Sequence, residues 1–218
     1  AARAAIPLLV DGVSSLAGEV LDFVKVRPAA VACTANKCIQ GLPGIAFVLC
    51  DRQVLSRMAA HPARSLYLHL PGYAQKQSRR DTPFTPAVQI LFALREALRE
   101  LEEESVPLRI RRYAGYSAVV RSRAEAMGLD LKVPLHYRSN TITSMGLPRG
   151  LDYDTIHDAM KKAGFVIYAG QGALRTEMFR IANMGAIAPS DIERDIAVLK
   201  DIVVAARTPG AATAKDTR

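Results

Sequence analysis

The sequence predicts an α/β fold in which a sheet covered on both faces is followed by a small α+β domain. Three observations carry this expectation. Residues 6–10, 31–34 and 44–50 are short, unbroken apolar runs instead of alternating ones, the pattern of strands buried on both faces. Residues 86–104 read as a long amphipathic helix with Val88, Leu91, Leu94, Leu98 and Leu101 on one face. Beyond Gly128 the texture changes to short strands and helices in mixed order.

Each element has its own signals. Asp51 is a good N-cap for a helix over residues 51–60, which His61 and Pro62 end. Residues 71–86, rich in Gly, Pro, Arg and Thr, read as a polar loop, and Pro86 suits the first turn of the next helix. A second long helix fills 107–127 and stops at Gly128. Strands are expected over 139–145, 165–168 and 179–183, and helices over 153–163, ending at Gly164, and over 190–206. We place a domain boundary near residue 115, giving a first domain over 1–115 and a second over 116–207. The small, polar tail 208–218 is expected to be disordered. No internal repeat is visible.

The formal charge is +8, from 29 Lys and Arg against 21 Asp and Glu, with the basic residues scattered apart from Arg79-Arg80 and Arg109-Ile110-Arg111-Arg112. Without a platform of interleaved aromatics this weakly favours anionic ligands over nucleic acid, and a solvated basic face is the plainer reading. No apolar run reaches the roughly 20 residues needed to cross a bilayer, and the run over 6–10 is stopped by Asp11, which makes a poor signal peptide. Cys33, Cys38 and Cys50 are odd in number and lack metal-ligand spacing, so we expect reduced thiols, no metal and a cytoplasmic setting.

Two residues suggest chemistry. Asp11 ends an apolar strand in Leu8-Leu9-Val10-Asp11-Gly12-Val13-Ser14-Ser15, and Lys37 lies in Cys33-Thr34-Ala35-Asn36-Lys37-Cys38-Ile39-Gln40-Gly41-Leu42-Pro43-Gly44. An acid at a strand end can pair with a pyridinium nitrogen, and a lysine on a tight loop can condense with an aldehyde, the two poles of a pyridoxal phosphate site. Taken alone, Asp11 reads first as a turn or capping acid, Val13 as core and Lys37 as a surface lysine.

The strings Asp11-Gly12-Val13-Ser14-Ser15 and Asn36-Lys37-Cys38-Ile39-Gln40-Gly41-Leu42-Pro43-Gly44 resemble those of class V aminotransferases of pyridoxal phosphate fold type I, in particular the branch that uses 2-aminoethylphosphonate and pyruvate. The resemblance continues through Phe84-Thr85-Pro86, Gly164-Phe165-Val166-Ile167-Tyr168 and Phe179-Arg180-Ile181-Ala182-Asn183-Met184-Gly185. It implies the C-terminal part of a large domain with a mainly parallel sheet, then a small α+β domain. It also implies a homodimer that binds pyridoxal 5'-phosphate, an amine donor and a 2-oxo acid, with no nucleic acid or membrane partner. By the same resemblance Lys37 is the Schiff-base lysine, Asp11 the partner of the ring nitrogen, Val13 a contact to the ring face, and Thr34 a hydroxyl for the phosphate. Thr85 would reach the phosphate of the neighbouring subunit, and Arg180 would clamp a substrate carboxylate. From the residues alone, Thr85 reads first as a helix cap, and Arg180 is as readily half of a structural ion pair.

Cys33 and Thr34 stand where the family tends to have paired serines, and Gln171 where a lysine is more usual. The chain starts at Ala1 and enters a strand-like run at once, so we expect it to be part of a longer protein. The resemblance places the phosphate loop and the ring-stacking aromatic in an N-terminal part outside these residues. A chain without that part should hold cofactor poorly and expose sheet edges and apolar surface. The alternatives are a serine-pyruvate or alanine-glyoxylate type of class V aminotransferase, and a catalytically silent remnant or interaction module.

Overall fold

The computed structural model of the chain describes residues 6–207, so the tail expected to be disordered, 208–218, lies outside the described residues. The chain divides into two compact units between Val106 and Pro107.

The first unit carries β1 (Leu9–Asp11), α1 (Phe23–Val26), β2 (Ala30–Thr34), β3 (Ala46–Cys50), α2 (Arg52–Ala59), α3 (Leu70–Ser78) and α4 (Val88–Glu104). The sheet order is β1-β2-β3, and it is mixed: β1 runs parallel to β2, with Asp11 opposite Ala32, while β3 runs antiparallel to β2, with Thr34 opposite Ala46. Paired residues share a face, so Asp11, Ala32 and Val48 lie on one side with Thr34, and Val31 and Cys33 lie on the other. Val31 and Cys33 are fully buried, whereas Leu9 on the Asp11 side is 71% exposed. Gly12 allows β1 to close on β2, since a Cβ there would lie 2.6 Å from Val31 Cγ1.

Three helices depart from expectation. Residues 71–86 are not all loop: α3 spans Leu70–Ser78, with a proline in its first turn. Proline is tolerated at that position because its missing N–H has no helical partner there, and the Ala-Gln-Lys-Gln run that follows favours helix. The helix stops at Arg79 and Arg80, the latter at φ 56°, and the Lys76–Asp81 ion pair at 2.7 Å closes the end. In α4 the buried line is Ala97 and Leu101, with Ile90, Ala93 and Leu94 half-buried, while Val88, Leu91 and Leu98 of the expected face remain exposed. Helix α1, capped by Asp22 through Val24 N–H and Lys25 N–H, is too short for a periodic signal.

The second unit carries α5 (Val106–Ala126), β4 (Ile142–Gly146), α6 (Tyr153–Lys162), β5 (Tyr168–Ala169), β6 (Met178–Ala182) and α7 (Pro189–Arg207). Its antiparallel sheet has the order β4-β6-β5. The core joins Val120 and Ala124 of α5, Met145 of β4, Ile156 and Met160 of α6, Phe179 and Ile181 of β6, and Ile192, Ile196, Leu199 and Val203 of α7. The last four recur at helical spacing, which places one face of α7 in the core. Gly128 at φ +71° and Gly164 at φ +94° end α5 and α6, a conformation open to glycine at little cost. The strand expected over 165–168 is shortened to Tyr168–Ala169, because Gly164 and Phe165 donate their N–H groups back to Lys161 and Met160 and so close α6.

Candidate functional site

In the first unit the chemistry gathers where β1 and β2 end. Neighbouring parallel strands present their carboxyl ends side by side, the usual place for a ligand in an α/β sheet. From β1, Asp11 leads into a turn in which Ser15 and Leu16 donate their N–H groups to Gly12 O at 3.1 and 3.0 Å. The exposed Asp11 carboxylate accepts Val13 N–H at Oδ1, 3.0 Å, and this fixes its direction. Val13 is half-buried beside it.

From β2, the chain turns through residues 35–41. Gly41 N–H reaches Ala35 O at 2.8 Å, Gln40 N–H reaches Lys37 O at 2.9 Å, and Gln40 takes the left-handed conformation at φ 68°. Gly41 sits close enough that a Cβ would meet Ala35 O at 3.2 Å. Buried Ala35, Cys38 and Ile39 anchor this turn, and Lys37 rides on it, half-buried. Lys37 Nζ donates to Ser14 Oγ at 2.6 Å, and Cys38 Sγ donates to Ser14 O at 3.3 Å. The fold thus brings the Lys37 amine onto the turn that begins at Asp11. Ser14 is the participant that sequence reading missed. A hydroxyl three residues after the acid was visible, but its contact spans 23 residues of sequence and has no local signal.

Thr34 shares the Asp11 face of the sheet, and its hydroxyl lies 2.7 Å from Asn36 Oδ1 and 3.3 Å from Ile45 O. Its single proton is therefore engaged locally. Cys33 points to the opposite face, where its Sγ lies 3.7 Å from Val31 O. Burial pushes the Cys33 thiol above its ordinary range, and the nearby Asp11 charge adds to the effect. Cys33 is therefore a buried thiol and not a second hydroxyl-like donor on the open face.

Thr85 is exposed in the segment before α4. The helix begins at Val88 with Ala87 as its cap residue and no side-chain cap bond, so Pro86 does not open it and Thr85 does not cap it. Phe84 steadies the segment against Tyr67 and Tyr73, with ring centroids 5.6 and 6.2 Å apart.

In the second unit, Arg180 occupies the middle strand between Ser144 of β4 and Tyr168 of β5. Its neighbours Phe179 and Ile181 enter the core, so Arg180 lies on the other face of the sheet, half-buried. Arg180 Nε donates to Ala169 O at 2.9 Å, and no carboxylate of the described residues pairs with the guanidinium. The ion pair left open by the sequence is thus absent among the described residues. Anchoring at Nε leaves Nη1 and Nη2 as a fork for an outside carboxylate. Gln171 is exposed at the start of a short 3₁₀ turn, Gly172–Thr176.

The fit to pyridoxal 5'-phosphate rests on donor chemistry. Asp11 offers a carboxylate on one turn, and Lys37 brings a primary amine onto that turn from the neighbouring one, the two donor types that the ends of that cofactor require. The phosphate end is less complete, since Thr34 is occupied locally.

No family model matches the chain. Over 201 residues it is 34% identical to a 2-aminoethylphosphonate–pyruvate transaminase of Bacillus mycoides and 33% identical to one of Bacillus cereus, in each case covering 90% of this chain and 54% of the relative. The chain therefore spans about half the length of these curated relatives. Among solved structures it is similar to ureidoglycine–glyoxylate aminotransferase from Bacillus subtilis, with a TM-score of 0.86, 24% identity, and 95% and 55% of the two chains covered. Pyridoxamine–pyruvate aminotransferase from Mesorhizobium loti gives a TM-score of 0.86 and 25% identity, covering 94% and 54%. In sequence the chain is similar to about half of these 2-aminoethylphosphonate–pyruvate transaminases, and in fold it is similar to about half of these aminotransferases.

Proposed function

We propose that this chain is the C-terminal part of a pyridoxal phosphate-dependent transaminase that moves the amino group of 2-aminoethylphosphonate to pyruvate, giving phosphonoacetaldehyde and L-alanine. The observation that carries the reading is the Lys37 amine held at 2.6 Å on the turn that starts with Asp11. The substrate choice is supported by the relatives that bear that activity in their names at 33–34% identity.

Bound pyridoxal phosphate would supply amine exchange at its aldehyde and an electron sink in its ring. Asp11 would hold the ring nitrogen end through its free oxygen and favour the protonated nitrogen. Lys37 would anchor the aldehyde end and carry a proton at Nζ to and from the substrate Cα. Arg180 would take a substrate carboxylate on its two free nitrogens and so fix which Cα bond is aligned to break. Thr34 would turn its hydroxyl from Asn36 toward the phosphate, and Thr85 would serve the phosphate of a partner subunit in a cytoplasmic homodimer. Val13 would pack on the ring face.

A second reading, a class V aminotransferase of serine-pyruvate or alanine-glyoxylate type, is favoured by Gln171, which stands where the phosphonate-using branch more often has a cation. Donor screening of the whole enzyme separates the two. Pyruvate-dependent turnover of 2-aminoethylphosphonate supports the proposal, while turnover of serine or alanine without it supports the second reading.

A further inference from the structure

The sequence reading assigns the amine to Lys37 and the acid to Asp11 and leaves Ser14 without a role. The structure attaches residues 35–41 to Ser14 twice, through Lys37 Nζ on its Oγ at 2.6 Å and Cys38 Sγ on its carbonyl oxygen at 3.3 Å. Cys38 is buried while Ser14 is exposed, so the backbone contact anchors the turn and the side-chain contact acts on the amine alone.

We infer that Ser14 is a positioning residue that tethers the free Lys37 amine over the Asp11 turn; the inference rests on the aminotransferase reading above. A lysine is a point charge on a flexible four-carbon stem, and an untethered one samples many rotamers. A lysine that transfers protons at a substrate carbon has to be free of covalent attachment during part of each half-reaction and still remain within reach of that carbon. A hydroxyl suits this task better than a carboxylate. It accepts from the ammonium form and donates to the neutral amine, so it keeps its partner in either protonation state. A carboxylate at position 14 would stabilise the charged amine and oppose the proton transfer. No atom of Ser14 is consumed, and no proton passes through it to solvent.

The test is trace acetylation of the cofactor-free protein by acetic anhydride, read residue by residue by mass spectrometry, with exposed Lys200 as the internal reference. Ser14→Ala should raise the acetylation rate of Lys37 relative to Lys200 by about 3–10-fold, the scale of one lost hydrogen bond. Ser14→Thr keeps the hydroxyl and should return the ratio to the wild-type value. An unchanged ratio in Ser14→Ala overturns the tether, and so does a Ser14→Thr protein that behaves like Ser14→Ala. If Ser14→Ala fails to fold, the Ser14→Thr ratio alone decides, since loss of protection with the hydroxyl in place contradicts the claim. Borohydride trapping of pyridoxal phosphate separates this inference from the reading it rests on. Trapping on Lys37 with an unchanged acetylation ratio removes the tether alone, whereas the predicted ratios without trapping on Lys37 remove the aminotransferase reading alone.

Discussion

The described residues form two three-stranded sheets from similarly apolar strands, and these are covered very differently. In the second unit, Met145, Phe179 and Ile181 pack under α6 and α7 in one continuous core. In the first unit, only small or medium residues such as Val31, Cys33, Ala35 and Ile39 are buried, while Ile6, Leu9, Val48 and Leu49 of the β1–β3 region stay exposed. The segment Leu66-Tyr67-Leu68 is also exposed, Leu66 at 80%. Among the described residues β1 and β3 each pair along one edge only. The proposed chemistry sits mainly on this open unit. Hydrophobic strand pattern thus specifies where a sheet forms but not what covers it.

The largest effect should come from the open unit's chemistry. Lys37→Ala in the whole enzyme should lower turnover by about 10²–10⁴-fold, the usual scale for a lost proton-transfer group. Calorimetry should show the second unit's unfolding unchanged in that variant, and a wild-type rate would contradict the assignment.

The closed unit should be the place where packing matters. Phe179 is fully buried, so Phe179→Ala should cost about 3–5 kcal/mol in denaturant titration. Leu9→Ala in the open unit should cost less than about 0.5 kcal/mol, because Leu9 already faces solvent in this chain. Equal costs would erase the contrast between the units.

Next comes a pH effect confined to the closed unit. Asp195 on α7 is buried, its Oδ2 has no hydrogen-bond partner among the described residues, and burial pushes its carboxyl up from 3.8 to about 6. With the folded value above the unfolded one, the folded state binds the extra proton. The stabilisation is full below about pH 4 and is lost as the pH rises through about 6, on the order of 2–3 kcal/mol in all. Asp195→Asn should flatten that slope in thermal melts between pH 4 and 7. A slope that survives the substitution would assign the effect elsewhere.

The smallest effect concerns the one proposed substrate contact on the closed unit. Arg180→Lys loses the fork and should reduce kcat/KM for pyruvate by about 10–100-fold, corresponding to a charge-assisted bond of about 1.5–3 kcal/mol. Stability should change little, since the guanidinium makes one backbone bond, to Ala169. An unaffected kcat/KM would leave Arg180 a purely structural residue.

Sequence made part of this architecture legible. Apolar runs located β1, β2 and β3, and Gly128 and Gly164 marked helix ends because a left-handed residue is needed there. Residues Asp11 and Lys37 stood out through their strand-end and loop settings, and the structure puts both at one end of the sheet. Helix α3 was hidden because Pro71 and Gly72 signal a loop when their position within a first helical turn is unknown. The buried line of α4 was misplaced because leucines populate both of its faces, and only tertiary packing selects one. The Ser14 contact was invisible for a related reason, since it is made between two turns that only the parallel pairing of β1 and β2 brings together.

The central claim is that Lys37 is the amine that meets pyridoxal phosphate on the Asp11 turn. Borohydride reduction of the cofactor-loaded whole enzyme, followed by peptide mapping, tests it most directly. The account predicts a pyridoxyl group on Lys37 and a large loss of labelling in Asp11→Ala. Labelling on any other lysine, or labelling of Lys37 that is indifferent to Asp11, would contradict it.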